Sequence, residues 1–264
     1  MSGPTGTCTG ITFLSENLWW DSTQTLTTGT EHAQFPLVNL DNESPSNKFR
    51  SLGNTAVIEV DLTVTRTIDT IAVLGDQTET LGITSMSVKF SNTNDFTMSP
   101  SIPITLSSEY AMGWEYVTEI DARFVEITLT GNGSYAEVSN FFIGERLNLP
   151  QNSISIGSFS YGYKDNSSIR SNKFGQKFID ERNLQKRLGG QIQYCTKEEQ
   201  EELDNMFRRH GKHEPLWMIL DSESSAINDG KYKLTIYGYI TQDPSWSADG
   251  GQLYSTRISV EEAI

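Results

Sequence analysis

Few side chains in this sequence could do chemistry. There are three histidines, and two of them, His210 and His213, form His-Gly-Lys-His, a spacing that occurs in some metal sites. Zinc needs a defined tetrahedral ligand set. A pair broken by glycine, with Cys195 the nearest thiol, does not supply one, and His32 stands far away in the chain. A solvated loop with a helix-end cation is expected there, and no metal. Nucleophilic catalysis needs a Ser, Cys or Thr held by an oriented base, and no Gly-x-Ser-x-Gly elbow is present. Paired carboxylates could hydrolyse glycosides. However, Glu198, Glu199, Glu201 and Glu202 fall on the polar face of one helix, and Asp41 and Glu43 fall in a loop. No glycine-rich phosphate loop occurs. The expectation is a protein that is not an enzyme and carries no cofactor.

Aromatic side chains offer a second kind of chemistry, because sugars stack on exposed Trp and Tyr faces. Trp19, Trp20, Trp114 and Tyr135 lie outside the clearest strand cores and are the candidate carbohydrate-binding residues. The competing expectation is structural: Trp19 and Trp20 staple the N-terminal segment to a core, since burying a Trp removes a large apolar area from water.

Such residues need a scaffold, and composition bounds it. The chain has 264 residues, 34 acids and 20 bases, for a formal net charge of −14. Binding nucleic acid through its phosphates is not expected of so acidic a chain, because that affinity comes from Lys and Arg releasing counterions. Cys8 and Cys195 make no disulfide framework. The start, MSGPTGTCTGITF, lacks a basic segment and an apolar run, so no secretory signal is expected. No stretch approaches the roughly 18 apolar residues of a membrane span.

Charge divides the chain. Residues 1–148 hold 6 bases and 18 acids, a net −12, whereas residues 149–264 hold 14 bases and 16 acids, a net −2. The change falls near Asn148-Leu149-Pro150-Gln151-Asn152, which reads as a linker. In the first half, Ala56–Leu62, Thr67–Leu74, Ser85–Phe90 and Arg123–Leu129 are rich in β-branched residues, and the last two alternate apolar with polar. Alternation at period two marks half-buried strands. Turn clusters at Gly75-Asp76, Ser91–Asp95 and Gly131–Gly133 separate the runs, which reads as a β-sandwich.

The second half contains one helix, over 196–210. Thr196-Lys197-Glu198-Glu199 is a capping box. Leu203, Met206 and Phe207 form an apolar stripe, Arg208, Arg209 and His210 complement the dipole in the last turn, and Gly211 suits C′. Strands are expected upstream at Ser153–Tyr163, near Ser168–Phe174 and at Lys177–Leu188. Downstream they are expected at Leu216–Leu220, Tyr232–Ile240 and Leu253–Val260. A single helix between two β groups covers one side of a small barrel or sandwich.

The first half resembles the galactose-binding-like, discoidin-type family. The residues that carry the likeness are Phe35–Asp41, then Pro45-Ser46-Asn47-Lys48-Phe49-Arg50-Ser51, with Phe49 where the family usually has tryptophan. Val57–Leu62, Ile71–Asp76, Val88–Ser91, Ala122–Ile127 and Phe141–Glu145 follow in the family's order, over roughly residues 30–146. The second half more faintly resembles ring-forming tail-tube and distal-tail (baseplate) proteins of long-tailed bacteriophages. That likeness rests on Phe159–Tyr163, the capped helix, Leu216–Asp221 and Tyr237–Ile240.

Together the resemblances imply a mostly-β chain. A discoidin-like jelly-roll β-sandwich (1–148) precedes a β-barrel or sandwich with one helix (150–264). They imply a structural subunit of a phage tail tip or baseplate, made in the host cytoplasm and located in the virion. Its partners would be copies of itself in a ring and other tail-tip or tail-tube proteins, with no insertion into a membrane. The alternative they leave open is an adhesin whose partner is a surface glycan.

Overall fold

The computed structural model describes residues 10–75, 81–149, 160–220, 232–250 and 253–263. It is mostly β with antiparallel sheets, as the sequence predicts. The expected turn at Asp76, the strand portion 153–159 and the linker portion 150–152 lie outside the described residues, as do Cys8 and Asp221.

The chain forms two compact units, and they are divided differently from the sequence reading at the N-terminus. One is Leu14–Leu147, and the other combines Met1–Phe13 with Asn148–Ala263. Strand β1 (Ile11–Leu14) sits between the strands Arg146–Leu149 and Leu216–Leu220, so its partners are more than a hundred residues away. The sandwich is therefore an insertion within the other unit. Local pattern could not reveal this, because a four-residue apolar strand carries no mark of which sheet it will join.

The inserted unit contains β2 (Thr23–Thr28), a 3-10 turn at Leu37–Asp41, β3 (Phe49–Arg50), β4 (Thr55–Leu74) and β5 (Ile83–Ser91). It continues with β6 (Ile102–Ile104), β7 (Leu106–Ser107), β8 (Met112–Gly131), β9 (Glu137–Val138) and β10 (Asn140–Gly144). Strands β4 and β8 each run for 20 residues and pair antiparallel. Their register slips between Asp61/Arg66 and between Ile68/Thr70, and Thr63 there takes φ 67°. Irregularities of this kind bend a strand and increase its twist. The first half of β4 pairs with β2 and with the end of β8, which carries β5 and β6 beyond it. The second half pairs with β10 and with the start of β8, which carries β7.

Alternation decides which side chains go inward. Ile58, Val60 and Leu62 from one half and Ile71 and Val73 from the other are buried, and all belong to one apolar cluster with Phe49, Val138, Phe141 and Ile143. Strands β3 and β9 form a separate two-stranded pair at its margin.

The other unit continues with β11 (Arg146–Leu149), β12 (Ser160–Asp165), β13 (Ser168–Ser171), β14 (Lys177–Asp180) and β15 (Leu184–Cys195). Helix α1 (Lys197–His210) follows, then β16 (Leu216–Leu220), β17 (Thr235–Ile240), β18 (Ser247–Gly250) and β19 (Leu253–Glu262). Its sheet runs β11-β1-β16-β17-β19-β15-β12, with β18 beside β19. The long run expected at Lys177–Leu188 is broken in two, and among the described residues β13 and β14 pair only with each other, as a separate hairpin.

Helix α1 begins where the capping box predicts. The Thr196 N–H donates to Glu199 Oε2 at 2.7 Å, and the Glu199 N–H donates to Thr196 Oγ1 at 3.2 Å. Leu203, Met206 and Phe207 are buried, and the helix packs on β15 and β19. One detail departs from expectation: His210 is buried on the same stripe, and only His213 of the pair is exposed. The period that places Met206 and Phe207 inward also brings residue 210 to that face.

Candidate functional site

The candidate site lies on the sandwich unit around β3 and β9. The segment before β3 is tied to it through the backbone: the His32 N–H donates to the Arg50 carbonyl at 2.8 Å, and the Arg50 N–H donates to the Phe35 carbonyl at 3.0 Å. Asn39 Nδ2 donates to the Lys48 carbonyl at 2.8 Å. The segment before β9 is equally constrained. A Cβ on Gly131 would meet the Tyr135 carbonyl oxygen at 1.7 Å, and Gly133 takes φ +97°, so this tight return needs glycine at both positions. Ser51, wholly buried, links the two segments, because its hydroxyl oxygen accepts the Ala136 N–H at 2.9 Å.

These loops converge on Arg50. In the β3–β9 register Arg50 faces Glu137, whose carboxylate is almost wholly buried at 4% exposure. Arg50 Nε donates to Glu137 Oε2 at 2.5 Å, and a terminal guanidinium nitrogen bonds the same carboxylate. Lys48 Nζ stands 3.6 Å from the other carboxylate oxygen. A carboxylate removed from water needs such partners. The Arg50 guanidinium carbon also lies over the Phe35 ring at 4.7 Å and over the Tyr135 ring at 4.5 Å, which is cation–π distance. The His32 ring stands 5.2 Å from Phe35.

The result is a rigid, partly exposed surface of mixed chemistry. A guanidinium has five N–H donors in a planar fork, and Glu137 engages only part of that fork. Tyr135 is 38% exposed, which leaves aromatic surface beside the cation. Hydroxyl-rich ligands suit such a surface: their oxygens accept from Arg and Lys while their C–H faces lie on aromatic rings.

The four aromatic candidates from the sequence are placed differently from one another. Trp19 is wholly buried, 4.9 Å ring to ring from Phe141, so it presents no face to a ligand. Trp20 is half-buried against the same core. Trp114, near the start of β8, is buried with its ring 4.7 Å from Tyr116. Tyr135 alone of the four is exposed, and it belongs to the Arg50 cluster. Phe35, Lys48, Arg50 and Glu137 are not among the sequence candidates. The Lys48-Phe49-Arg50-Ser51 run carries the family resemblance, but nothing in its spacing announces a partner 87 residues away. Among the described residues, no group of three or more His, Cys, Asp and Glu side chains is arranged to hold a metal. No described helix is long and apolar enough to cross a membrane.

Neither a protein-family model nor a curated protein sequence matches the chain. Solved structures do align with it. One is a fucolectin (F-lectin) from striped bass (Morone saxatilis) serum, with 14% identity and a TM-score of 0.42 over 53% of this chain and 50% of the fucolectin chain. The chain thus spans about half the length of that protein. Another is CBM32-1 from a family 31 glycoside hydrolase of Clostridium perfringens, with 11% identity and a TM-score of 0.40 over 50% of this chain and 99% of the module. A third is chitosan-binding module 1 from a chitosanase/glucanase of Paenibacillus sp. IK-5, with 18% identity and a TM-score of 0.40 over 49% and 99%. At these values the likeness assigns no ligand and no activity to this chain.

Proposed function

We propose that the inserted unit, residues 14–147, is a carbohydrate-recognition unit that binds without breaking bonds. The observation that carries this reading is Arg50, fixed by the buried Glu137 and lying over the Phe35 and Tyr135 rings. A cation pinned in this way presents its remaining donors without losing side-chain freedom on binding, which lowers the cost of association. Tyr135 then serves as the stacking platform and Lys48 as a second donor. Sugar binding is what the names of the chitosan-binding module and the fucolectin describe for those proteins, and the rim here has chemistry suited to the same class.

The test is a glycan array probed with the full chain, followed by calorimetry on any hits. Tyr135→Ala removes an exposed ring and is expected to weaken binding by about threefold to tenfold, the range of one aromatic contact. Equal affinity in the variant, or no glycan bound by the wild type at millimolar concentration, overturns the proposal.

Charge asymmetry favours a second reading, assembly. Residues 1–148 carry a net −12 and residues 149–264 a net −2. Mutual repulsion is small for a near-neutral surface packed against copies of itself, while an acidic unit facing outward stays soluble. In this reading the chain is a structural subunit of a phage tail tip or baseplate, with other tail proteins as partners. The sandwich decorates a homo-oligomeric ring, and a glycan contact made by it becomes host attachment. Light scattering with negative-stain imaging of the full chain tests it. A closed ring supports the reading, and a strict monomer at high concentration counts against it.

A further inference from the structure

The hairpin β13–β14 is the part of the described chain least accounted for by its own fold. It pairs with no third strand among the described residues. Two strands alone are marginal in water unless a hydrophobic face is covered. Yet each face carries large apolar side chains among polar ones. Ile169 and Ile179 are opposite one another in the register and share one face, while Phe178, opposite Arg170, lies on the other. All three are more than half exposed, as is Leu184 beyond the hairpin, and Phe174 at its tip is 78% exposed.

The tip is nevertheless well built. The Asn172 side-chain oxygen accepts the backbone N–H of Phe174 at 2.9 Å and of Gln176 at 3.0 Å, and Gly175 takes the φ +81° that the turn needs. At the base, Ser167 Oγ accepts the Arg182 N–H at 3.0 Å. The turn therefore holds a fixed form with its large apolar side chains in water.

Charge indicates what covers it. Residues 166–183, between β12 and β15, hold four bases (Arg170, Lys173, Lys177, Arg182) against two acids (Asp180, Glu181), in a chain whose net charge is −14. Around the tip, Arg170, Lys173 and Lys177 flank the exposed phenylalanines. Residues 14–147 carry 18 acids and 6 bases. We infer that the β13–β14 hairpin of one copy docks on the acidic sandwich unit of a second copy of this chain. Phe174 at the tip and Phe178 form the apolar centre and Arg170, Lys173 and Lys177 the basic rim. Interfaces commonly combine an apolar centre with a polar rim in this way. Side chains of this size supply the core of a contact of about 800 Å² per partner. The contact is independent of sugar binding; it rests on the self-association of the assembly reading but places the acidic unit in a contact between copies instead of outside them.

The test measures the mass of the full chain by light scattering at about 100 µM, where contacts with micromolar dissociation constants are populated. It compares wild type, Phe174→Ser with Phe178→Ser, and Lys173→Glu with Lys177→Glu, each checked for native circular dichroism. Oligomers of the wild type that dissociate in high salt, with both variants shifted at least tenfold toward monomer, are expected. Zero-length coupling in a mixture of ¹⁴N and ¹⁵N chains should join Lys173 or Lys177 of one copy to carboxylates within 14–147 of another. A monomeric wild type overturns both the inference and the assembly reading. An oligomer that both variants retain, or whose mixed-isotope links bypass the hairpin, overturns the inference and leaves assembly standing. A monomer that binds vesicles containing phosphatidylglycerol through the hairpin overturns it in favour of a lipid partner.

Discussion

Arg50 and Glu137, 87 residues apart in sequence, face each other across the short β3–β9 pair, and Nε of the first donates to Oε2 of the second at 2.5 Å. The carboxylate is buried while the guanidinium keeps about a quarter of its surface in water, at 26% exposure. Arg50→Met is therefore expected to cost about 2–3 kcal/mol, somewhat less than the roughly 3–5 kcal/mol for breaking a fully buried pair, because Lys48 still stands near the carboxylate. Adding Glu137→Gln should recover part of that loss, since the double variant leaves no uncompensated charge. Urea unfolding of the wild type, the two single variants and the double variant measures the coupling. Strict additivity would mean that the two side chains do not hold one another.

The insertion predicts how fragments behave. The apolar cluster of the sandwich lies wholly within residues 14–147, so 14–147 alone should unfold cooperatively, with native-like protection of the β4 and β8 amides in hydrogen exchange. A fragment beginning at residue 150 lacks both β1 and β11, which lie side by side at one end of the eight-stranded sheet, and β16 keeps β17 but loses its neighbour β1. That fragment should not give a cooperative transition. Adding residues 1–14 through a short linker to 146–264 should restore one.

Helix α1 offers a smaller test. Thr196→Ala removes the side-chain half of the capping box and should lower stability by about 1 kcal/mol. Thr196→Asp should keep most of it, because a carboxylate also accepts the N3 amide and suits the positive end of the helix. Thermal unfolding of the two variants separates these outcomes.

Lys186 predicts a pH dependence. It is 3% exposed, and its Nζ donates to the Tyr232 carbonyl at 3.0 Å and the Thr235 carbonyl at 2.5 Å. Burial brings its pKa from 10.5 down to about 8, against the attraction of Glu262. Below pH 8 both folded and unfolded chains hold the proton, and the cost of burying the charge is felt in full, about 3 kcal/mol for such a shift. Between pH 8 and 10.5 the unfolded chain binds more protons than the folded one, so this contribution to stability rises with pH. A neutral amine still has two N–H groups for the two carbonyls. Stability of the wild type relative to Lys186→Met should therefore rise by about 2 kcal/mol between roughly pH 7.5 and 10. A difference independent of pH would show that Lys186 does not titrate in that window.

Local physics made the helix legible before the structure. Thr196, Glu199, Gly211 and the stripe of Leu203, Met206 and Phe207 state its start, end and inner face within sixteen residues. Leu216–Leu220 was equally plain, because a short apolar run bounded by polar segments has few alternatives. Pairing across long sequence distances was not legible. Nothing near Ile11–Leu14 says that it will join β16, and nothing in Lys48-Phe49-Arg50 says that Glu137 will meet it. The aromatic candidates divided for a related reason. Trp19 and Tyr135 are alike as exposed-or-buried ambiguities in sequence, and only the placement of Phe141 and of Arg50 separates them.

Because the sandwich leaves the larger sheet at β1 and returns at its neighbour β11, the two units are joined by two chain crossings. Severing either one by proteolysis leaves the sandwich attached through the other, so a nick in one crossing releases nothing. The same arrangement lets a lineage exchange the inserted unit as a cassette. Both splice points fall in adjacent strands of a sheet completed by other segments, so a replacement of different size or specificity need only begin and end close together in space.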